Sequence, residues 1–332
     1  ENFAVDYYED GYKMLTTLPD SKRYLIVPEG QPVPRELDED VSILQEPLQN
    51  IYLVASGAMD MFASLDAVDQ IRFSGQKQEN WYIQTAKDAM AAGDMIYAGK
   101  YSKPDYELLV SEGCDLAIEN RMITHSPEVV EMLQSFDIPV MIEYSSYEKH
   151  PLGKVEWVKF FGALTGKEAE AEEAFAEQTE ILEEVESGEK TGKTIAFFYV
   201  TSNGLIQVRQ STDYIPKLIE LAGGRYIFED LEDSGSGRST LNMQVEDFYA
   251  GAKDADILIY NSSIDGGVTT LDELIGKCNI LKDFKAVQEG QVYCTTNDMY
   301  QQSMAIGYLL QDMHTVLTDD DTAKLRYLFL LQ

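Results

Sequence analysis

The sequence is poor in cysteine, which limits both disulfide frameworks and thiolate metal sites. Cys114, Cys278 and Cys294 are its three cysteines, and they form no CxxC motif. An odd number excludes a fully paired disulfide framework. We therefore predict structural thiols in or near core strands, while a bridge between Cys278 and Cys294 stays open.

Histidine is equally scarce, and the motifs of common enzyme classes are missing. His125, His150 and His314 form no HxH or HExxH element, which argues against a transition-metal-ion site. The chain has no GxSxG nucleophile elbow, no GxGxxG after a strand and no GxxxxGK[ST] phosphate loop. Glycines at 235 and 237 follow acidic residues instead of a strand, which is typical of a surface loop. These absences predict a protein without catalytic activity.

Basic residues are far outnumbered by acidic ones. The chain has 26 Lys and Arg against 58 Asp and Glu, a formal net charge of −32. Nucleic acid and anionic lipid are poor partners for such a surface, because both are bound by clustered Lys and Arg. No apolar run approaches the roughly 20 residues that span a bilayer, so we expect a soluble chain. The length of 332 residues favours two domains.

Short apolar segments alternate with helical patterns along most of the chain. The first 35 residues look like antiparallel hairpins, with Glu9-Asp10-Gly11 as a turn signal. The predicted strands are then 51–54, 71–73, 116–118, 140–142, 194–200, 257–260 and 292–294. The predicted helices are 58–65, 106–111, 127–136, one from 151 that ends near 165–166, 167–186, 214–222, 246–252 and 301–318. This alternation is typical of βαβ units. The predicted fold class is α/β, with two Rossmann-like lobes on central, mainly parallel sheets.

A helix separates the two α/β halves. Pro151 suits a first helical position, and apolar residues recur on one side of the helix that follows it. We predict an N-terminal lobe over 1–149 that includes the hairpins, a single long rigid linking helix over 150–166, and a C-terminal lobe over 167–332.

The two halves share a short repeat. Residues 115–120 (DLAIEN) mirror residues 256–261 (DILIYN). Each segment follows a short predicted helix with an acidic residue, Glu107 in the first half and Glu246 in the second. The repeat suggests related lobes, although any parallel-sheet protein repeats helix and strand in this order.

Polar and aromatic residues follow several predicted strands, where ligands of open α/β sheets gather. Basic side chains there suit anionic ligand oxygens, and aromatic ones suit bulky or flat ligands. We interpret Trp81 as an exposed aromatic contact, with a core position as the alternative, and place Arg209 and Arg238 in polar loops, with internal salt bridges as the alternative. The candidate ligand-binding residues are Ser56, Trp81, Tyr82, Lys100, Tyr101, Arg121, Tyr144 and Tyr147 in the first half, and Asn203, Arg209, Arg238, Asn261 and Tyr300 in the second.

Several segments, in their order and spacing, resemble one known family. They are 47–57 (PLQNIYLVASG), 99–118 (GKYSKPDYELLVSEGCDLAI), 150–153 (HPLG), 161–166 (FGALTG), 214–224, 245–260 and 284–292. Together they are similar to the substrate-binding proteins of ABC importers for ferric siderophores, haem and cobalamin. The resemblance covers nearly the whole chain from about Pro47, although no single motif is diagnostic.

The resemblance implies a function and partners. In that family two α/β lobes bridged by one helix close on a ligand, and an acidic residue of each lobe docks on basic residues of the membrane permease. By position, the resemblance assigns docking to Glu107 and Glu246. It implies a non-catalytic, extracytoplasmic, monomeric protein without a cofactor, which binds an iron-siderophore-like chelate, haem or cobalamin in the cleft between its lobes. The acidic composition disfavours anionic catecholates, and any lipid-bearing cysteine would lie upstream of residue 1.

Two other hypotheses stay open at this point. The layout also fits a binding protein for a bare metal ion or small metabolite, although the shortage of histidine counts against zinc and manganese. A two-lobed α/β enzyme such as a glycosyltransferase has the same layout, because fold does not determine function. The missing phosphate loop counts against that hypothesis.

Overall fold

The computed structural model describes residues 2–232, 239–264, 267–320 and 322–332. The chain divides into two compact units. Unit 1 comprises Glu1–Glu148, Gly153–Ala176 and Gln301–Met304, and unit 2 comprises Lys149–Leu152, Glu177–Tyr300 and Ala305–Gln332.

The start of unit 1 is a four-stranded sheet, called here the N-terminal sheet. β1 (Phe3–Tyr7), β2 (Lys13–Thr17) and β3 (Lys22–Val27) are successive antiparallel strands, which confirms the predicted hairpins. β4 (Val41–Gln45) pairs with β3 in parallel. Only Leu44 of its five residues is buried, so the sequence has too little apolar signal to predict this strand.

The second sheet of unit 1 is entirely parallel. Its strands are β5 (Ile51–Leu53), β6 (Ile71–Ser74), β7 (Ile96–Tyr97), β10 (Leu116–Asn120) and β11 (Val140–Glu143), in the order β11-β10-β5-β6-β7. All are short, and the four other than β7 are largely buried, as expected for a sheet covered on both faces. β7, at the edge, is half-buried to exposed.

A tight hairpin follows β7. It consists of β8 (Gly99–Lys100) and β9 (Lys103–Pro104). Gly99 has a φ of +89°, and a Cβ there would lie 2.3 Å from the Lys103 carbonyl oxygen. The hairpin therefore requires glycine at this position.

Five helices surround these strands. They are α1 (Ala58–Ser64), α2 (Gln84–Ala92), α3 (Tyr106–Ser111), α4 (Pro127–Ser135) and α5 (Pro151–Thr165). The bounds of α3 match the sequence prediction, and α5 begins at the predicted Pro151 and ends in the predicted region near 165–166. α2 was not predicted, because Ala86 is the one fully buried residue among its nine.

The aromatic face of α5 holds the N-terminal sheet in place. Trp157, Phe160 and Phe161 are fully buried, and the ring of Phe3 lies 5.1 Å from that of Trp157. Lys13 of β2 donates to the carbonyl of Ala163 at 2.9 Å.

The longest helix, α6 (Glu168–Glu186), belongs to both units. It passes from unit 1 into unit 2 between Ala176 and Glu177, whereas α5 belongs to unit 1 from Gly153 onward. The predicted lobe boundaries and the linking role of 150–166 stay predictions.

Unit 2 contains a seven-stranded mixed sheet. Its strands are β12 (Thr194–Val200), β13 (Ile206–Arg209), β14 (Arg225–Tyr226), β15 (Thr240–Met243), β16 (Ile257–Tyr260), β17 (Val292–Thr295) and β18 (Leu328–Leu330). β12, β16 and β17 pair in parallel, and β14 pairs in parallel with β12. β13, β15 and β18 pair antiparallel with their neighbours, so the parallel pattern holds for the centre of the sheet.

Unit 2 contains five helices in addition to the C-terminal part of α6. They are α7 (Tyr214–Leu221), α8 (Val245–Ala252), α9 (Leu271–Lys277), α10 (Lys285–Gln288) and α11 (Ile306–Thr318). α11 begins later than predicted, because a 3₁₀ turn at Ser303–Ala305 precedes it. The rings of Phe198, Phe248 and Phe284 form part of the core under these helices.

The two aspartates of the sequence repeat make equivalent contacts. Asp115 accepts backbone hydrogen bonds from Gln49 at 3.0 Å and Asn50 at 2.9 Å, immediately before β5. Asp256 accepts from the backbone N–H of Thr194, the first residue of β12, at 2.7 Å. Each carboxylate thus ties the start of its own strand to that of the neighbouring strand, which supports related origins for the two halves.

Candidate functional site

Three predicted residues meet in unit 2. Asn261 follows β16, Tyr300 follows β17, and Arg209 ends β13. Nη2 of Arg209 donates to the Tyr300 hydroxyl, and Nδ2 of Asn261 donates to the same oxygen at 2.7 Å. The arrangement joins a cation, an amide and a phenol, which can bind an oxygen-rich ligand by stacking and hydrogen bonds.

The Arg209 side chain is held from several directions. Its guanidinium lies 3.4 Å from the Asp213 carboxylate and 5.8 Å from the centre of the Phe197 ring. The Tyr226 hydroxyl donates to the Arg209 carbonyl at 2.8 Å. Burial raises the pKa of Tyr226 and of Tyr214, so both phenols stay neutral at physiological pH. The guanidinium is therefore fixed in position.

The prediction that Arg209 lies in a polar loop is wrong. The residue belongs to β13, which pairs antiparallel with β12, and it is 7% exposed. The internal salt bridge considered as the alternative is present, with Asp213 as its partner. β13 was not predicted, because a four-residue strand with Gln and Arg at alternate positions reads as a loop.

A second group of hydroxyls next to Asn261 was not recognised in the sequence. The Ser262 hydroxyl donates to the carbonyl of Thr295, at the end of β17, and lies 3.1 Å from Oδ1 of Asn297. Gly267 approaches it closely, since a Cβ there would lie 2.9 Å from Cβ of Ser262. Ser262 follows a buried strand, and this position in the sequence is the signal by which it could have been identified.

The two remaining predicted residues of unit 2 have different positions. Asn203 is exposed in the turn between β12 and β13, where its Oδ1 accepts from Thr201 at 2.6 Å. Arg238 lies outside the described residues.

In unit 1, predicted residues meet at the carboxyl ends of β10 and β11. Arg121 follows β10, and its guanidinium lies 4.6 Å from the centre of the Tyr147 ring. Tyr147 is 39% exposed, whereas Tyr144, directly after β11, is mostly buried. Ser56 is half-buried after β5 at the same edge of the sheet. This edge therefore presents a cation and an exposed aromatic ring.

The interpretation of Trp81 as an exposed contact is wrong. Its side chain is 1% exposed, and its indole N–H donates to the Ser74 hydroxyl at 3.0 Å. The residues next to Trp81 in the sequence are polar, but the free energy gained by burying its large apolar ring decides its position. Tyr82 is exposed, and its backbone N–H donates to Gln301 at 2.8 Å.

Lys100 and Tyr101 lie in the hairpin after β7. Lys100 is exposed, and Tyr101 is half-buried against the core of the parallel sheet.

A buried carboxyl group beside this edge was also missed. Glu119 of β10 is fully buried, and neither of its oxygens accepts a hydrogen bond from a described residue. Burial raises the pKa of Glu119 from 4.5 to about 8, so the group is mainly protonated at neutral pH. It lies in an apolar strand, where nothing in the sequence distinguishes it from a surface acid.

Glu107 and Glu246 occupy equivalent positions in the two units. Each is the second residue of a short helix, α3 and α8 respectively, and each is exposed. Neither makes a salt bridge to any residue that the structure describes. The repeat thus presents one exposed carboxylate on each unit.

All three cysteines are free thiols, which confirms the prediction of structural thiols. Cys278 and Cys294 are buried, and burial raises the pKa of Cys114 to about 12. Within the described residues, no three His, Cys, Asp or Glu side chains are grouped as for a metal ion.

Replacing Tyr300 with phenylalanine is expected to lower the free energy of unfolding of unit 2 by about 1 to 3 kcal/mol, because two buried donors lose their shared acceptor. Urea denaturation measures this change. Tyr293→Phe is the control, since that hydroxyl has a longer contact of 3.3 Å with Gln291. Equal midpoints for the two variants would contradict the expected role of the Tyr300 hydroxyl.

The comparisons with known proteins identify the family. The sequence model described as periplasmic binding protein matches residues 54–299, which is more than half of the chain. The chain belongs to the periplasmic binding protein family. An uncharacterized lipoprotein of Methanocaldococcus jannaschii is 25% identical over 314 residues, covering 89% of this chain and 72% of the relative.

Solved structures of periplasmic binding proteins share the fold. The periplasmic haem-binding protein HutB of Vibrio cholerae has a TM-score of 0.64 and 14% identity, over 80% of this chain and 98% of that protein. A protein of an ABC-type Fe³⁺-hydroxamate transport system from Saccharomonospora viridis has a TM-score of 0.61 and 16% identity, over 81% and 93%. The predicted family and α/β fold class are confirmed.

The family also defines the broad function of the chain. Periplasmic binding proteins are solute-binding proteins that work with the permeases of ABC transporters, and they are not enzymes. The family and the lipoprotein relative support an extracytoplasmic position. No helix among the described residues has the length and apolar composition needed to cross a membrane.

Proposed function

We propose that this protein captures a bulky metal chelate outside the cytoplasm and delivers it to an ABC permease. A ferric siderophore is the first candidate ligand, and haem and cobalamin are the others. The observation that carries the proposal is the group formed by Arg209, Asn261 and Tyr300 in a chain of this family. Two proteins of the same fold are named for haem and for Fe³⁺-hydroxamate.

The charges favour a neutral or cationic chelate over an anionic catecholate. The guanidinium of Arg209 already has the Asp213 carboxylate as a partner at 3.4 Å. The surrounding protein carries a formal net charge of −32, which repels anions at a distance. A trihydroxamate, whose ferric complex is neutral or cationic, avoids this repulsion.

Docking on the permease is proposed for Glu107 and Glu246. Both are exposed, both lie in the first turn of a helix, and both occur at the same place in the repeat. Carboxylates of this kind suit basic residues on a partner, since complementary charge orients two proteins as they associate.

Ligand-induced thermal stabilisation tests the ligand class. A ligand that binds the folded protein at 100 times its Kd adds about 2.7 kcal/mol to the free energy of unfolding, so we expect the Tm to rise by about 4 to 6 °C. The panel comprises ferric trihydroxamates, ferric catecholates, haem and cobalamin.

Iron-free chelators and an iron salt serve as controls in that experiment. A shift with the iron salt alone would favour the bare-metal hypothesis. No shift with any chelate, haem or cobalamin well above micromolar concentration would contradict the proposal. A ligand recovered chemically unchanged after incubation agrees with a protein that binds without catalysis.

A further inference from the structure

The hydroxyl group of Tyr300 is held in one hydrogen-bonding role. A phenol oxygen accepts hydrogen bonds through its lone pairs and has a single proton to donate. Arg209 and Asn261 both donate to this oxygen, Asn261 at 2.7 Å. The acceptor positions of the oxygen are therefore filled, and the hydroxyl donates to no residue that the structure describes. What it can still offer to a bound ligand is its proton.

The two donors are held beside Tyr300 by the surrounding protein. Arg209 and Asn261 are both buried. The guanidinium of Arg209 lies 3.4 Å from the Asp213 carboxylate, and the Arg209 backbone N–H donates to the Tyr226 hydroxyl at 3.1 Å. A guanidinium has only donors, so Arg209 cannot accept the phenol proton. The proton of Tyr300 is therefore directed away from its two partners.

Tyr300 keeps this proton at neutral pH, because burial raises the pKa of its phenol. The residue is half-buried in the loop after β17. β16 and β17 are parallel, and ligands of such sheets bind at the carboxyl ends of the strands. A ligand at this edge of unit 2 thus meets a hydrogen-bond donor at Tyr300.

A donor at this position distinguishes two forms of the same chelator. The oxygen atoms of a hydroxamate or catecholate that bind a metal ion have lost their protons, so they only accept hydrogen bonds. The metal-free hydroxamic acid or catechol keeps its protons at neutral pH and presents O–H donors at those oxygens. Two donors that face each other leave a proton without an acceptor, which costs free energy once water is excluded.

We propose that Tyr300 is a specificity-determining residue whose hydroxyl donates to a deprotonated, metal-bound oxygen and so favours the metal-loaded chelate over the metal-free chelator. The inference rests on the proposed function, and it adds the atom by which the protein recognises that a chelator carries its metal. The residues that carry it, Arg209, Asn261 and Tyr300, all lie in unit 2.

Two variants test the direction of this hydrogen bond. Tyr300→Phe removes the proton. Asn261→Asp keeps the size of the side chain, but its carboxylate accepts the Tyr300 proton, which is then withheld from a ligand. Affinities for a ferric trihydroxamate and for the same trihydroxamate without iron are measured by titration calorimetry. The two probes have the same net charge, because the protons that are lost carry the same charge as the Fe³⁺ that replaces them, so the added carboxylate affects both alike.

Both variants are expected to lower the ratio of the ferric to the iron-free affinity at least about tenfold, the usual effect of one hydrogen bond to an ionised acceptor. Tyr293→Phe, the control, removes another phenol hydroxyl of unit 2 and should change the ratio less than about twofold. Circular dichroism verifies that each variant is folded, and Asn261→Asp decides the test if Tyr300→Phe does not fold.

An unchanged ratio in a folded Tyr300→Phe or Asn261→Asp variant would overturn the inference, while the proposed function stands. Binding of haem or cobalamin by the wild type without binding of any ferric chelate would have the same consequence. If the wild type binds none of the chelates, haem or cobalamin, the proposed function fails as well.

Discussion

Replacing Glu107 and Glu246 together with lysine is expected to lower ligand uptake at least about 100-fold while ligand affinity in solution stays unchanged. The reason is charge: basic permease residues that attract a carboxylate repel an ammonium, and like charges placed opposite each other cost several kcal/mol. Both side chains are exposed and make no described ion pair, so the fold loses no salt bridge. The remaining cost is the interaction with the helix dipole, about 0.3 to 1 kcal/mol at each site.

Uptake is measured in the native host after its own copy has been replaced, with ligand binding measured on the purified variant. The control carries Glu173→Lys in unit 1 and Asp272→Lys in unit 2. Asp272 is exposed and, like Glu246, is the second residue of its helix. Each single reversal at Glu107 or Glu246 should give an intermediate loss. Equal uptake by the docking double variant and the control would contradict docking at these residues.

Replacing Glu119 with glutamine is expected to remove a pH dependence of stability worth roughly 3 to 5 kcal/mol. The pKa of this buried carboxyl is raised to about 8, so the folded protein keeps the proton to a higher pH than the unfolded chain does. Its contribution to stability is complete below about pH 4.5. It decreases as the pH rises and is lost above about pH 8, where ionisation of the buried group opposes folding.

Urea denaturation of the wild type and Glu119→Gln at about pH 5 and about pH 9 checks this prediction. The difference between the two proteins should grow in favour of the variant as the pH rises. Glu143→Gln is the contrast. Burial raises the pKa of Glu143 too, but this carboxyl group accepts from the Ser145 backbone N–H at 2.6 Å and lies near Lys154, and both contacts oppose the shift. We expect Glu143→Gln to destabilise the protein. A constant difference between wild type and Glu119→Gln across the pH range would show that Glu119 is not buried as a lone carboxyl.

The sequence was most informative where apolar residues are continuous or strictly periodic. The bounds of β12 and β16 match the prediction because β16 is fully buried and only Tyr199 of β12 is half-buried. β13 and β15 were missed, since each is a four-residue antiparallel strand with polar residues on its exposed side. Tertiary pairing with a neighbouring strand, which the sequence does not display, stabilises both.

The same distinction between local and long-range signals applies to the residues of the candidate site. Asn261 and Tyr300 were predicted because they follow buried strands, and the structure brings them together. The buried state of Trp81 and Glu119 depends on side chains distant in sequence, so no local pattern reveals it.

The assignment of Gln301–Met304 to unit 1 has a consequence for synthesis on the ribosome. Asp60 accepts from the Met304 backbone N–H at 2.7 Å, and the Gln301 amide donates to the Asn80 carbonyl at 2.8 Å. These bonds join residues more than 200 positions apart. Unit 1 therefore cannot complete its own contacts until Met304 has emerged, and a fragment ending at α6 would leave Asp60 without this donor. The two units are consequently finished nearly together, although the first begins to form much earlier.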